Sequence, residues 1–271
     1  MKLKKLFAIS AIAGVALLAS CNNGGETTTE TKAPETTTET VTETTTKAPE
    51  PTTTVATNVL SYDEYIAAEV GSEVTIEAYI TGRTTWYNNA ASFYLADNNG
   101  GYYVYNLPCT EEEYASLVIA KKLQVTGAKA EWKGEVEING QTATENAGYI
   151  VLGASKTYDA ILVDDIAKAT LDLYKNQLVK TKELTVTKAP YTNFEDFTLA
   201  PKAGTDVYVE VTDGTNTFLF VVEAYLEDSL YDSSTYKNVC ALHVGDKVVL
   251  EGFIYYWENP QMQITKCDIL A

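Results

Sequence analysis

Two stretches of this chain repeat each other 125 residues apart. Lys122-Leu123-Gln124-Val125-Thr126-Gly127, followed by Trp132, corresponds to Lys247-Val248-Val249-Leu250-Glu251-Gly252, followed by Trp257. Three further matches precede these in the same order: Tyr65 with Tyr174, Val74-Thr75-Ile76 with Leu184-Thr185-Val186, and the Asp97 turn with Asp213-Gly214. The offsets grow from 109 through 110 and 116 to 125, as expected when one copy of a duplicated unit gains loop residues. Much of the last gain falls within 225–241, a polar stretch containing Tyr and Ser. Such a chain is constrained to fold as two copies of one small unit, placed at 59–165 and 166–271.

Each unit reads as strands. Glu73-Val74-Thr75-Ile76-Glu77-Ala78-Tyr79-Ile80 alternates, and so do Ser92 to Leu95, Tyr102 to Tyr105 and Leu123 to Thr126. The runs are short, rich in β-branched or aromatic residues, and bounded by Gly, Asn or Asp. Asp97-Asn98-Asn99-Gly100-Gly101 reads as a hairpin turn. Between the third and fourth strands, Thr110 with Glu113 three residues on gives a capping box. Three glutamates open this helix and Lys121-Lys122 close it, in keeping with its dipole. Tyr114, Leu117 and Val118 form an apolar stripe expected to face the core. A short helix over Tyr62 to Ala68 precedes the first strand.

Three meander strands, a helix and two more strands is the order of the OB-fold, a five-stranded Greek-key barrel. The unit resembles it in strand order, helix placement and size, and Val244-Gly245-Asp246-Lys247 to Gly252 resembles the turn and fourth strand of extracellular bacterial OB modules. The expected fold is therefore all-β with short helices: two tandem five-stranded OB-fold-like barrels. Two departures stand out. Asn139 to Gly148 reads as an insertion between strands four and five, and the second unit lacks a clean helical pattern where the first has Thr110 to Ala120. An Ig-like sandwich is the competing fold; it needs more strands per unit and no capped internal helix.

The N-terminal segment carries a different signal. Lys2, Lys4 and Lys5 precede an apolar run from Leu6 to Leu18, and Leu18-Ala19-Ser20-Cys21 follows. This resembles the lipobox of bacterial lipoproteins. The resemblance implies a signal peptide over 1–20, diacylation of Cys21, and anchoring at the extracellular face of the cell membrane, with that membrane as a partner. Residues 21–58 hold 16 Thr, six Glu and the twice-occurring Lys-Ala-Pro-Glu, with few apolar residues. That composition cannot offset its ordering entropy, so a disordered stalk is expected, of a kind that resembles O-glycosylated stalks.

Charge limits the partners. The whole chain carries a formal −17, and by count of residues the two units carry −10 and −6. Such units repel phosphate backbones, which disfavours nucleic acid. After Cys21, three cysteines remain, Cys109, Cys240 and Cys267. An odd number leaves at least one free, and a Cys240–Cys267 bridge is one possibility outside the cell.

Catalytic chemistry finds little footing. His243, the one histidine, reads as a solvated turn residue. Asp164-Asp165 reads as a solvated linker, and Asp97 to Gly100 lacks the remaining positions of a calcium loop. No zinc spacing, phosphate loop or nucleophile elbow occurs, so no cofactor or metal is expected and the chain reads as a non-enzyme. Aromatic residues point to binding instead. OB-folds bind ligands on strands two and three, flanked by the first-second and fourth-fifth loops. Trp86 and Tyr87 fall in the first loop, Tyr94, Tyr103 and Tyr105 on strands two and three, and Trp132 at the end of strand four. Tyr255, Tyr256 and Trp257 are their counterparts in the second unit. Flat rings stack on sugars or bases alike, and by alternation half of them fill the barrels instead. With acidic units, a glycan or protein ligand is the leading expectation. Single-stranded nucleic acid, as an accessory to a surface nuclease, and a passive spacer are the alternatives.

Overall fold

The computed structural model describes residues 58–141, 147–192 and 202–270. Cys21, the signal segment and the Thr-rich stretch lie outside the described residues.

The first unit opens with α1 (Tyr62–Ala67), capped by Ser61 and Glu64 in a complete capping box. There follow β1 (Glu73–Arg83), β2 (Ala90–Ala96), β3 (Gly101–Pro108), α2 (Glu111–Ser116), β4 (Lys121–Trp132), β5 (Glu135–Asn139) and β6 (Gly148–Ser155). β1 pairs antiparallel with both β2 and β4, β2 with β3, and β5 lies parallel to β3 and antiparallel to β4. The ring is closed, and its order is that of an OB-fold. β6 pairs with the first half of β4, outside the ring.

The second unit has β7 (Ile161–Leu162), α3 (Lys168–Asp172), β8 (Leu178–Lys180), β9 (Leu184–Tyr191), β10 (Val207–Thr212), β11 (Thr217–Val222), α4 (Ser234–Cys240), β12 (Lys247–Trp257) and β13 (Asn259–Leu270). β9 pairs with β10 and β12, β10 with β11, and β13 closes the ring between β11 and β12, parallel to β11. The two rings have one topology, and the sequence matches fall on equivalent elements. The 125-residue repeat joins β4 to β12, and the Val74 and Leu184 runs join β1 to β9. The two Asp turns also share a mechanism. Asp97 Oδ1 accepts from the amides of Asn99 and Gly100, and Asp213 Oδ1 from those of Thr215 and Asn216. β7 precedes residue 165 yet pairs with β8 of the second sheet.

Alternation builds each core. Val74, Ile76, Ala78 and Ile80 of β1 point inward with Phe93, Leu95, Val104, Leu123 and Val125. Val209, Val211, Phe220, Val248, Leu250 and Ile254 do the same in the second barrel. Full burial of each larger side chain contributes about 1.5–3 kcal/mol.

Three expectations are corrected. The fifth barrel strand is Glu135–Asn139, reached by a tight turn at Lys133 (φ 55°) and Gly134 (φ 89°). The 139–148 segment therefore follows strand five instead of preceding it, with 142–146 outside the described residues. A polar run, Glu135-Val136-Glu137, hid this strand, because its outward carboxylates face another barrel instead of water. Second, the second unit does have the internal helix, α4, with Ser233 accepting from the Tyr236 amide and Thr235, Tyr236 and Val239 buried. Third, Val118 is exposed. α2 ends at Ser116, Leu117 leaves helical geometry (ψ 65°), and the helical spacing that carried Val118 toward the core stops there.

Candidate functional site

The expected ligand face of the first barrel is largely covered by the second. Tyr94 and Tyr103, on β2 and β3, are 1% and 7% exposed and form a small apolar cluster with Leu226 and Phe253. Tyr94 stacks on Phe253 and donates its hydroxyl to Gln263 Oε1 (2.8 Å); Tyr103 meets Tyr255 edge-on at 5.4 Å. The expectation that Tyr94 and Tyr103 present a ligand face is corrected: their rings are spent on the seam between barrels. Polar contacts complete it. Glu135, wholly buried, accepts from Asn176 Nδ2 (2.7 Å) and from the Tyr256 amide (2.9 Å). Arg83 donates to Glu227 Oε2 (2.6 Å) and to the carbonyls of Tyr114 and Leu117 (2.9 Å each). The Thr85 amide donates to the Tyr225 carbonyl.

What stays open is a groove of about 460 Å³ beside the seam. Its floor is Ala90, Ala91 and Ser92 of β2 with Tyr103, Tyr105 and Asn106 of β3; Thr84, Thr85 and Tyr87 of the first loop form one wall, and Tyr225 of the second barrel another. Local chemistry places these groups. Asn88 and Asn89 both take positive φ (51° and 60°), making a tight turn in which Tyr87 and Ala90 exchange backbone hydrogen bonds. That turn thrusts Tyr87 outward, 80% exposed. Tyr105 and Tyr225 are also exposed. Ser92 is fixed by its amide donating to Thr84 Oγ1 and its hydroxyl accepting from the Asn106 amide. The lining offers three accessible rings, hydroxyls and an amide, and no charged side chain.

The other sequence candidates divide. Trp86 is half-buried on the first core, its indole N–H donating to the Cys109 carbonyl, so the exposure expected of it holds only for its neighbour Tyr87. Tyr256 is core in the second barrel, and Tyr255 packs against the seam cluster. Trp132 and Trp257 are exposed at the tips of β4 and β12, where the Lys133 ammonium pairs with Glu258. Tyr225 was missed. Its only signal was its place in the polar 225–241 stretch, and no local pattern there shows that it faces a groove on the other barrel.

Titratable groups near the seam are strongly shifted. Burial pushes the Glu135 carboxyl up to about 8, against Asn176 and Lys175, which favour its charge. Burial raises Glu137 to about 7, and burial with nearby Asp206 raises Glu223 to about 7. Cys109, Cys240 and Cys267 are free thiols, so the Cys240–Cys267 bridge is not formed. Burial pushes the first two up to about 11 and Cys267 up to about 12, which makes them poor nucleophiles. His243 is exposed beside Asp246 in its turn. Asp165 accepts from the Ala167 amide and the Thr170 hydroxyl at the start of α3, and Asp164 pairs with Lys182.

No family model matches the chain, and no curated protein matches it. Among solved structures it is similar to the p204 HINb domain, at 11% identity and a TM-score of 0.33, covering 75% of this chain and all of that one. It is similar to a murine DNA-binding protein solved with double-stranded DNA, at 10% identity and a TM-score of 0.33, covering 72% and 98%. It also resembles a replication protein A heterotrimer bound to single-stranded DNA, at 10% identity and a TM-score of 0.31, covering 73% of this chain and 48% of that one. Likeness at this level leaves the ligand to be argued from the chain's own surface.

Proposed function

We propose that the tandem barrels form a rigid, non-catalytic binding module, tethered at a bacterial cell surface through acylated Cys21, whose seam groove takes an uncharged glycan segment. The observation that carries this is the groove's lining. Tyr87, Tyr105 and Tyr225 offer faces for sugar rings, and Thr84, Thr85 and Asn106 offer hydrogen-bonding groups. The two units that form the groove carry formal charges of −10 and −6, and such a field favours neutral ligands over phosphates. Exposed rings gathered in one groove also argue against a passive spacer.

A second reading, single-stranded nucleic acid, rests on one feature. The Lys133 ammonium lies 5.6 Å from the ring centroid of exposed Trp257, with Lys175 and Lys168 nearby at 4.0 and 5.2 Å from Tyr256, whose own ring is buried in the second core. Rings with cations are what single strands use. Glu258 and Asp172 offset two of those three charges.

Calorimetric titration of the full-length protein with neutral glycans and with oligonucleotides, at low and high salt, separates the two. The glycan reading expects salt-insensitive binding that weakens about tenfold or more in Tyr87→Ala and in Tyr225→Ala, at ~1–3 kcal/mol per stacked ring. Salt-sensitive oligonucleotide binding lost in Lys175→Ala, with no glycan response, would overturn it.

A further inference from the structure

The duplication gives each barrel the same groove at the tip of its fourth strand, and only one of the two is filled. Register defines the correspondence. Gly101 and Thr217 each open the strand after the Asp turn, paired with Ala96 and Thr212. Glu135 and Asn259 each sit across the hairpin from the tryptophan that ends the previous strand, Trp132 and Trp257. In the first barrel the groove is plugged by Asn176, 2% exposed. A Cβ on Gly101 would lie 2.5 Å from the Asn176 carbonyl carbon, so the glycine admits the plug. The Asn176 amide nitrogen donates to Glu135 Oε1 and, at 3.2 Å, to the Val136 carbonyl.

In the second barrel the equivalent groove is open, with a volume of about 310 Å³, between Thr217, Phe218 and Leu219 on one side and Trp257, Asn259, Pro260 and Gln261 on the other. By register, Asn259 and Pro260 occupy the positions that Glu135 and Val136 hold in the first barrel, and both line the groove. Asn replaces Glu at the side-chain position, and no charged side chain lines the groove. Trp257, 54% exposed, supplies a flat face beside these positions.

We infer that this open groove is a binding site for a neutral sugar carrying an acetamido group. The ligand's acetamido N–H, a single donor, takes the place of one of the two N–H groups that the Asn176 side chain presents in the first barrel, and its ring lies on the Trp257 indole. Thr217 and Gln261 are left for its hydroxyls. The groove's lining offers a charged amino sugar or a phosphate no partner, and the Lys133 ammonium over the Trp257 ring is already paired with Glu258. The site is separate from the tyrosine groove and shares none of its residues, so either can fail alone.

Full-length protein titrated with the trimer of N-acetylglucosamine, the trimer of glucose and a short oligonucleotide tests this. The acetamido trimer binds about tenfold or more tightly than the glucose trimer, the worth of one amide contact left unmade. Trp257→Ala and Asn259→Ala each abolish that preference, while Tyr87→Ala leaves it intact. Both substituted residues are exposed, so the fold is not at stake. Equal binding of the two trimers overturns the inference, as does acetamido binding that survives both substitutions, no binding at millimolar sugar, or a Trp257-dependent response to the oligonucleotide alone. Acetamido binding lost in Tyr87→Ala but kept in Trp257→Ala overturns it in favour of the tyrosine groove.

Discussion

Tyr94 and Phe253 lie face to face across the seam between the barrels, their ring centroids 4.1 Å apart and their planes within 2° of parallel. Neither residue belongs to its own barrel's core. Phe253→Ala is expected to cost about 3–5 kcal/mol, the range for a buried aromatic. Tyr94→Ala with Phe253→Ala should cost less than the two singles together, by ~0.5–1.5 kcal/mol for the lost ring pair. Urea denaturation of the four proteins of the cycle measures this; strict additivity would show that the stack contributes nothing of its own.

Two glycines permit the close approach. A Cβ on Gly82 would lie 2.5 Å from the Phe253 ring, and one on Gly101 the same distance from the Asn176 backbone. A ring can tilt and a packed backbone cannot, so Gly101→Ala is expected to destabilise more than Gly82→Ala, with overpacking costs of about 1–3 kcal/mol setting the scale. Denaturant midpoints rank the two, and the reverse order contradicts this account.

Acidity should strengthen the fold. Glu135, Glu137 and Glu223 hold their protons to about 8, 7 and 7, above the ordinary value of 4.5. On raising the pH the unfolded chain gives up these protons first, so it gains stability relative to the folded state. The stability these groups contribute is present in full below 4.5 and is lost as pH climbs through 7 to 8. Urea midpoints should therefore fall between pH 5 and pH 8, the interval these values bracket. Glu137→Gln should flatten that slope and raise stability at the alkaline end by on the order of 1–3 kcal/mol. A midpoint that rises with pH across this range, in the native protein, refutes the assignment.

Arg83, the one arginine of the chain, lies over the Tyr114 ring at 4.2 Å while binding Glu227 and two carbonyls. Its planar fork serves several acceptors at once, which a lysine ammonium reproduces poorly. Arg83→Ala is expected to cost about 3 kcal/mol, with Arg83→Lys recovering less than half. Thermal unfolding compares them, and full recovery by lysine would reduce the role to simple charge.

Cys21→Ala should move the protein from the membrane fraction to the soluble one and abolish labelling by radioactive palmitate. Unchanged fractionation and labelling would leave the lipobox resemblance without a chemical basis.

The barrels were legible because their signals are local and repeated. Alternation in β1 and β4, the Thr110–Glu113 capping box and the Asp turns each follow from near neighbours, and the duplication repeats the β1, β4 and Asp-turn signals, though not the capping box. The seam was not legible. Glu135 and Glu137 look like solvent-facing residues, and only the docking of the second barrel buries them. The same docking converts Tyr94 and Tyr103 from candidate ligand contacts to packing, and brings Tyr225 to a groove whose other residues lie at 84–106. Contacts across more than a hundred residues leave no periodicity to read.

The segment between the barrels, where Lys156 and Tyr158 are fastened to the Asn98 turn, also suggests a use. Because recognition between the halves resides in the packed rings and not in this connection, cutting the chain there and expressing the two pieces separately should yield partners that find each other and reassemble in trans. Each piece alone would present bare aromatic surface and tend to aggregate. A reporter divided between them would then signal when both were present, which makes the duplicated architecture a self-assembling pair as well as a single chain.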